Sequence, residues 1–307
     1  MKSDTRITFA GVLQEKARTN TDIMAVVSDS RGSTGTWDFY REMPERFVDV
    51  GIAEQNAVGV SAGLSLGGKN AFAFGPACFL MMRSQEQVKA DVAYSNTNVK
   101  IVGVSAGVSY GVLGATHHAL GDIAAARLMP GLAILVPSDA IQAGQMAAFL
   151  ADHKGPAYIR LGRGAVEEIY EKDENCFTYG KANVLLEGND VLICACGEIV
   201  HPALVAAKEL AAQGISVTVL DISSIRPFDS ETVRKYAKNA KLVVTAEEHF
   251  VAGGLGDAVS MSIWDMGKRV MRLGMGDEYM ACATASVIKE KCGLDICGIK
   301  RSIRSGL

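Results

Sequence analysis

One carboxylate stands out for the company it keeps. In Asp49-Val50-Gly51-Ile52-Ala53-Glu54-Gln55-Asn56-Ala57-Val58-Gly59, Glu54 is a lone acid in an otherwise apolar, glycine-rich run that leads into a helical pattern. Burying an unpaired carboxylate is costly. A glutamate here either stays wetted at a helix N-terminus, where the dipole favours it, or meets a partner that exchanges a proton with it in a dry cleft. Other chemistries find less support. Seven cysteines (Cys78, Cys176, Cys194, Cys196, Cys282, Cys292, Cys297) form no C-x-x-C pair, which argues against a disulfide framework or a zinc site and for buried free thiols. No strand pattern is followed by a Gly-x-Gly-x-x-Gly turn, so nicotinamide binding is disfavoured.

The elements that must position Glu54 follow from hydrophobic patterning. Short β-branched runs at Ile23–Ser28, Ala71–Phe74, Val99–Val104, Ala133–Val136 and Ala157–Leu161 read as strands buried on both faces. Helical spacing fills the gaps at Gln55–Leu66, Leu80–Ala93, Asp122–Leu128 and Asp139–Leu150, the last with a Ser138-Asp139 cap. Such alternation implies a mostly parallel sheet, with ligands beyond the strand C-termini, in the loops after Ser28, Phe74, Val104 and Ile159. The charged, weakly periodic stretch 162–189 reads as an interdomain linker. A second series follows, with strands at Val191–Ala195, Val217–Leu220, Leu242–Ala246 and Val270–Leu273 and helices near Pro202–Gln213, Ser230–Asn239 and Leu255–Asp265. The fold class expected is α/β, with two doubly wound domains: a larger one over 1–165, a linker over 166–188 and a smaller one over 189–307.

Bulk properties agree with this. A length of 307 residues accommodates two such domains, and 49% apolar against 21% charged residues is a globular composition without low-complexity tracts. The net charge of -3, with both signs interspersed, gives no footprint for nucleic acid or an anionic membrane. The opening Met1-Lys2-Ser3-Asp4-Thr5-Arg6 has no apolar stretch of the secretory kind and no run is long enough to span a bilayer, so a cytoplasmic location is expected.

The Glu54 run resembles the pyrimidine-binding segment of the transketolases and 1-deoxyxylulose-5-phosphate synthases, which use thiamine diphosphate. The resemblance continues through Pro76-Ala77-Cys78-Phe79-Leu80-Met81-Met82-Arg83-Ser84-Gln85-Glu86-Gln87-Val88, Gly114-Ala115-Thr116-His117, 130–139 and Pro156-Ala157-Tyr158-Ile159-Arg160-Leu161-Gly162-Arg163. In the second domain it covers 221–227 and Glu247-Glu248-His249 with Gly253-Gly254-Leu255-Gly256. It therefore spans nearly the whole chain and implies a pyrimidine-binding domain followed by a transketolase C-terminal domain.

The resemblance also implies roles. Glu54 would hydrogen-bond ring N1' of the aminopyrimidine and favour the imino tautomer that takes the thiazolium C2 proton, with desolvation raising its pKa. Phe79 would stack on the pyrimidine, and Ile52, Asp29 and Arg83 would complete the cofactor contacts. His117 would hydrogen-bond the donor ketose or shuttle a proton, while neighbouring His118 would be structural. Arg6, Ser33 and Arg163 match positions that grip a sugar's distal phosphate. Full-length relatives hold the diphosphate through a divalent metal on a Gly-Asp-Gly motif with a downstream Asn. This chain has no Gly-Asp-Gly, and Gly121-Asp122-Ile123 and Gly276-Asp277-Glu278 lack its context. An N-terminal partner subunit carrying the cofactor's magnesium is implied, with no metal held here, in an assembly of two copies of each chain (α2β2) that self-associates through both domains.

Two positions depart from the family pattern. Its histidine twelve places before His117 is Ser105, and its aspartate four places before is Leu113. That aspartate meets a sugar hydroxyl, so Leu113 implies a specialised ketose donor, branched, deoxy or carrying another anion in place of phosphate. The activity implied is transfer of a two-carbon ketol unit from a ketose to an aldose. The alternatives are a split deoxyxylulose-phosphate synthase, a 2-oxo-acid dehydrogenase β subunit, and a non-catalytic regulatory subunit that kept only the fold.

Overall fold

The computed structural model describes residues 1–307. Its strands, in chain order, are β1 (Lys2–Asp4), β2 (Ile23–Val27), β3 (Phe47–Asp49), β4 (Asn70–Pro76), β5 (Val99–Val104), β6 (Ala133–Leu135), β7 (Ala157–Arg160), β8 (Ala165–Glu167), β9 (Asn183–Leu186), β10 (Val191–Ala195), β11 (Val217–Asp221), β12 (Ser224–Arg226), β13 (Leu242–Phe250) and β14 (Val270–Met275). One sheet runs β12-β6-β7-β5-β4-β2-β3 and is parallel except at β12, which pairs antiparallel with β6. The other runs β14-β13-β10-β11-β9 and is parallel except at β9. The α/β class expected from the sequence is the one observed.

Both faces of the larger sheet are covered, which is why every residue of β2 and β5 is buried and, apart from Lys100 in β5, apolar. On one side Phe72, Phe74, Val102 and Ile159 meet Phe9 and Leu13 of the helix Thr5–Thr19 and Met146 and Leu150 of the helix Ala140–Asp152. On the other, Ala71, Ala73, Ile101 and Tyr158 meet Val58 of the helix Glu54–Leu66. Alternate residues of a strand thus serve opposite cores. No helix is long and apolar enough to cross a membrane.

Three features differ from the patterning. The helix expected over Leu80–Ala93 is broken: Ala77–Leu80 and Gln85–Gln87 are single turns, and Val88–Tyr94 is π-helical. Its i→i+5 winding aligns Ala93 with Val88, and both are buried. The stretch read as a linker contributes strands: β8 pairs antiparallel with β1, and β9 extends the second sheet beside β11. Finally, β12 crosses from the second domain to edge the first sheet, and Ile134 and Val136 share one apolar cluster with Leu220, Ile222 and Ile225.

Of the cysteines read as buried free thiols, Cys78, Cys176, Cys194 and Cys196 are buried and free, whereas Cys282 and Cys297 are exposed and Cys292 is half-buried. The exposed two lie in the C-terminal 26 residues, outside the strands whose apolar runs suggested burial.

Candidate active site

The C-terminal ends of adjacent parallel strands deliver the candidate residues to one edge. Asp29 follows β2, Glu54 follows β3, Phe79 and Arg83 follow β4, and Ser105 follows β5. Asp29 (φ 49°) and Ser105 (φ 55°) are two of the three non-glycine residues with left-handed backbone. Such conformations cost energy and collect at functional sites. Asp49, which the patterning did not single out, holds this corner together. Its carboxylate accepts from Asp29 N at 3.0 Å and Gly51 N at 3.1 Å, and pairs with Arg31 at 3.3 Å.

Glu54 opens the helix Glu54–Leu66 and is 4% exposed. It is not unpartnered, as a lone carboxylate in an apolar run suggested: Arg83 Nη1 donates to Glu54 Oε2 at 2.7 Å. The same guanidinium lies over the Phe79 ring, 4.7 Å from its centroid. From Phe79 a row of flat side chains continues. The His117 ring is 5.2 Å from Phe79 and 5.8 Å from Tyr110, both edge-on, and the Arg163 guanidinium lies 4.9 Å over Tyr110. Glu54, Arg83, Phe79, His117 and Arg163 therefore belong to one contiguous surface. Tyr110 joins them although the motifs passed over it; its only signal was an aromatic residue bracketed by Ser109 and Gly111.

The remaining candidates fall less simply. Ile52, two residues before Glu54, is 80% exposed. Arg6 donates to the Ser33 carbonyl at 2.6 Å, which joins those two positions, but its fork is also occupied by Asp4 at 3.1–3.3 Å. Asp4 further accepts from Gly164 N at 3.2 Å, bringing the neighbour of Arg163 to the same corner. Ser105 is fully buried and its hydroxyl has no partner. Leu113 is half exposed in the turn Gly111–Leu113. His117 Nδ1 is 3.0 Å from the Thr116 hydroxyl, whereas His118 is buried with Nε2 3.2 Å from Gly111 O.

The loop that carries Tyr110 and His117 is held from the second domain. Glu248 Oε1 accepts from Val108 N at 2.7 Å, and its other oxygen is 3.1 Å from Lys289, which also reaches Glu198 at 2.8 Å. Burial alone would lower the Lys289 pKa, but Glu248 and Glu198 outweigh it and hold the ammonium charged. Arg160 donates to Asp122 at 2.8 Å and to the Glu248 carbonyl at 2.8 Å, tying β7 to the same junction.

The side chains at Glu54 fit the pyrimidine of thiamine diphosphate: a buried carboxylate joined through Arg83 to the Phe79 face. No group of three or more His, Cys, Asp or Glu side chains is gathered as a metal site would require.

Known proteins place the chain. Residues 1–168 match the transketolase pyrimidine-binding domain and residues 180–299 the transketolase C-terminal domain. The chain is 48% identical over 294 residues to a subunit of the apulose-4-phosphate transketolase of Phocaeicola vulgatus, covering 96% of this chain and 94% of that one. It is 39% identical to the 6-deoxy-6-sulfo-D-fructose transketolase subunit SqwH of a Clostridium species, over 94% and 90% of the two chains. A solved split-gene transketolase, described as an inactive beta4 tetramer, superposes with TM-score 0.89 at 37% identity, over 99% and 98%. The 1-deoxy-D-xylulose-5-phosphate synthase 1 of Geobacter sulfurreducens is 35% identical over 95% of this chain, but only 46% of that protein is matched. Fold and matched domains thus define a transketolase-type pyrimidine-binding domain joined to its C-terminal companion. The chain belongs to the transketolase family and corresponds to the subunit of a split transketolase that carries those two domains.

Proposed function

We propose that this subunit, joined to an N-terminal partner that holds the diphosphate and magnesium, transfers a two-carbon ketol unit from a specialised anionic ketose to an aldose. The observation that carries the reading is the row from buried Glu54 through Arg83, Phe79, His117 and Tyr110 to Arg163, which joins a buried acid to an exposed guanidinium. When bound, thiamine diphosphate supplies the nucleophilic carbon that carries the ketol unit. Glu54 holds or releases the proton at the pyrimidine, in a setting that excludes water. Phe79 fixes the ring plane, and Asp29, Ile52 and Arg83 close around it. His117 donates to the ketose or moves a proton at its reacting carbon. Arg163, with Arg6 and Ser33 beyond it, receives the terminal anion.

Donor choice follows from Leu113 and Ser105, which replace polar contacts of the family pattern, and from relatives named for unusual ketoses. Apulose 4-phosphate is the donor favoured by similarity, followed by 6-deoxy-6-sulfofructose. The assembly proposed is α2β2 and cytoplasmic, with the division between domains inside 166–188.

Co-expression with an N-terminal transketolase subunit, followed by a thiamine-diphosphate-dependent assay on a donor panel, tests this. Ketol transfer that needs both chains is expected, and xylulose 5-phosphate as clearly the best donor would reject the specialised reading. Carbon dioxide released from pyruvate would instead move the protein to the synthases, which the 35% identity to a synthase keeps in view.

A further inference from the structure

Part of the wall beside Arg163 comes from the other domain. The segment Cys282–Ala285, which follows β14, lies against Gly111–Gly114: the Ala283 N–H donates to Gly111 O at 3.3 Å. A Cβ on Gly111 would collide with the Ala283 carbonyl, and one on Gly114, whose φ is +77°, would stand 2.6 Å from Cys282 Sγ. Two glycines thus permit a backbone-close approach between domains. Beside this seam opens a cavity of about 430 Å³, bordered by Ser109, Tyr110, Leu113, Arg163 and Thr284. Arg163 is its cation, exposed and stacked on Tyr110 with no carboxylate partner, whereas Arg6 is shared between Asp4 and the Ser33 carbonyl. A cavity of this size takes a small sugar, and an unpaired guanidinium suits a terminal oxyanion; of the hydroxyls beside it Ser109 donates to Ala106 O at 2.6 Å, whereas Thr284, 3.1 Å from the Ser286 hydroxyl, can accept from Ser286 and keep its own proton for a ligand.

We propose that the C-terminal domain helps choose the ketose: Thr284 donates its hydroxyl to the sugar's terminal phosphate or sulfonate across the cavity from Arg163, and Cys282–Ala285 limits how long that sugar can be. This rests on the ketol-transfer reading above. Leu113 supplies the apolar side of the same cavity, so the second domain faces the position where the donor is discriminated.

The test uses the reconstituted complex and three donors, apulose 4-phosphate, 6-deoxy-6-sulfofructose and xylulose 5-phosphate. Thr284→Val should raise KM about fivefold to tenfold for whichever of these turns over, well beyond any change in kcat, and Thr284→Ser should restore it. Iodoacetamide labelling of Cys282, read by peptide mass spectrometry against exposed Cys297, should slow when that donor is present, with Cys297 unaffected. An unchanged KM in Thr284→Val, or Cys282 labelling indifferent to a donor that turns over, would overturn the inference while leaving ketol transfer standing. A wild-type complex that uses no ketose overturns the functional reading itself, and this inference with it.

Discussion

Arg83 Nη1 sits 2.7 Å from Glu54 Oε2 while its guanidinium lies 4.7 Å over Phe79, so one planar cation engages both the acid and the aromatic face. In the isolated chain this pairing makes a carboxylate that is 4% exposed tolerable. Arg83→Met should therefore destabilise the isolated chain by about 1–3 kcal/mol, because the acid stays buried without its partner. Adding Glu54→Gln should recover part of that loss, giving a coupling of about 1–2 kcal/mol in a double-mutant cycle followed by urea unfolding. Additive single effects would mean that the pair contributes nothing.

Glutamine at position 54 keeps the size of glutamate and one acceptor oxygen for Arg83 but takes up no proton. Glu54→Gln in the assembled complex should lower kcat by about 10²–10⁴-fold, while gel filtration shows the same assembly and the chain unfolds at nearly the wild-type temperature. Undiminished turnover would remove Glu54 from the role proposed for it.

What could be read in advance divides along physical lines. The strand β2 was legible because burial on both faces leaves an unbroken apolar run, and β5 because Lys100 alone interrupts its own. Glu54, Phe79 and His117 were legible through their motifs, and the chain does bring them to one surface. The break in Leu80–Ala93 was not legible, since a π-helical turn and an α-helix bury similarly spaced residues. Nor was the Asp4–Arg6 pairing readable, or the meeting of Gly111 with Ala283. Both depend on how separate segments dock, which residue spacing does not encode.

The junction behind the His117 loop offers a stability test. Lys289 lies between Glu198 and Glu248, and Glu248 in turn holds Val108 N. Burial pushes the Glu198 carboxyl up, and Lys289 opposes that shift. Lys289→Met strands two acids at the domain seam and should cost about 2–4 kcal/mol in urea unfolding. Because Glu248 anchors the loop, hydrogen exchange at Val108 should also quicken by more than it does in β5. Equal effects at both places would argue for global destabilisation without local release.

A pH dependence is built into Asp221, at the end of β11. Its Oδ2 accepts from Tyr170 at 2.6 Å, Gln142 at 2.9 Å and Ser138 at 3.0 Å, joining second domain, connecting segment and first domain, while Oδ1 is buried without a partner. Burial pushes its carboxyl up to about 6, against those three donors, which pull it down. A folded pKa above the unfolded value of about 3.9 means that the native state holds the proton more tightly. The stability from this group is complete below about pH 4 and is lost as pH rises through about 6, a span worth about 3 kcal/mol. Asp221→Asn can keep one oxygen for the three donors and removes the titration. Wild type and variant should unfold alike near pH 4, and the variant's stability should exceed that of wild type by a growing margin up to pH 7. Parallel stability profiles across that range would show that Asp221 does not change its proton affinity on folding.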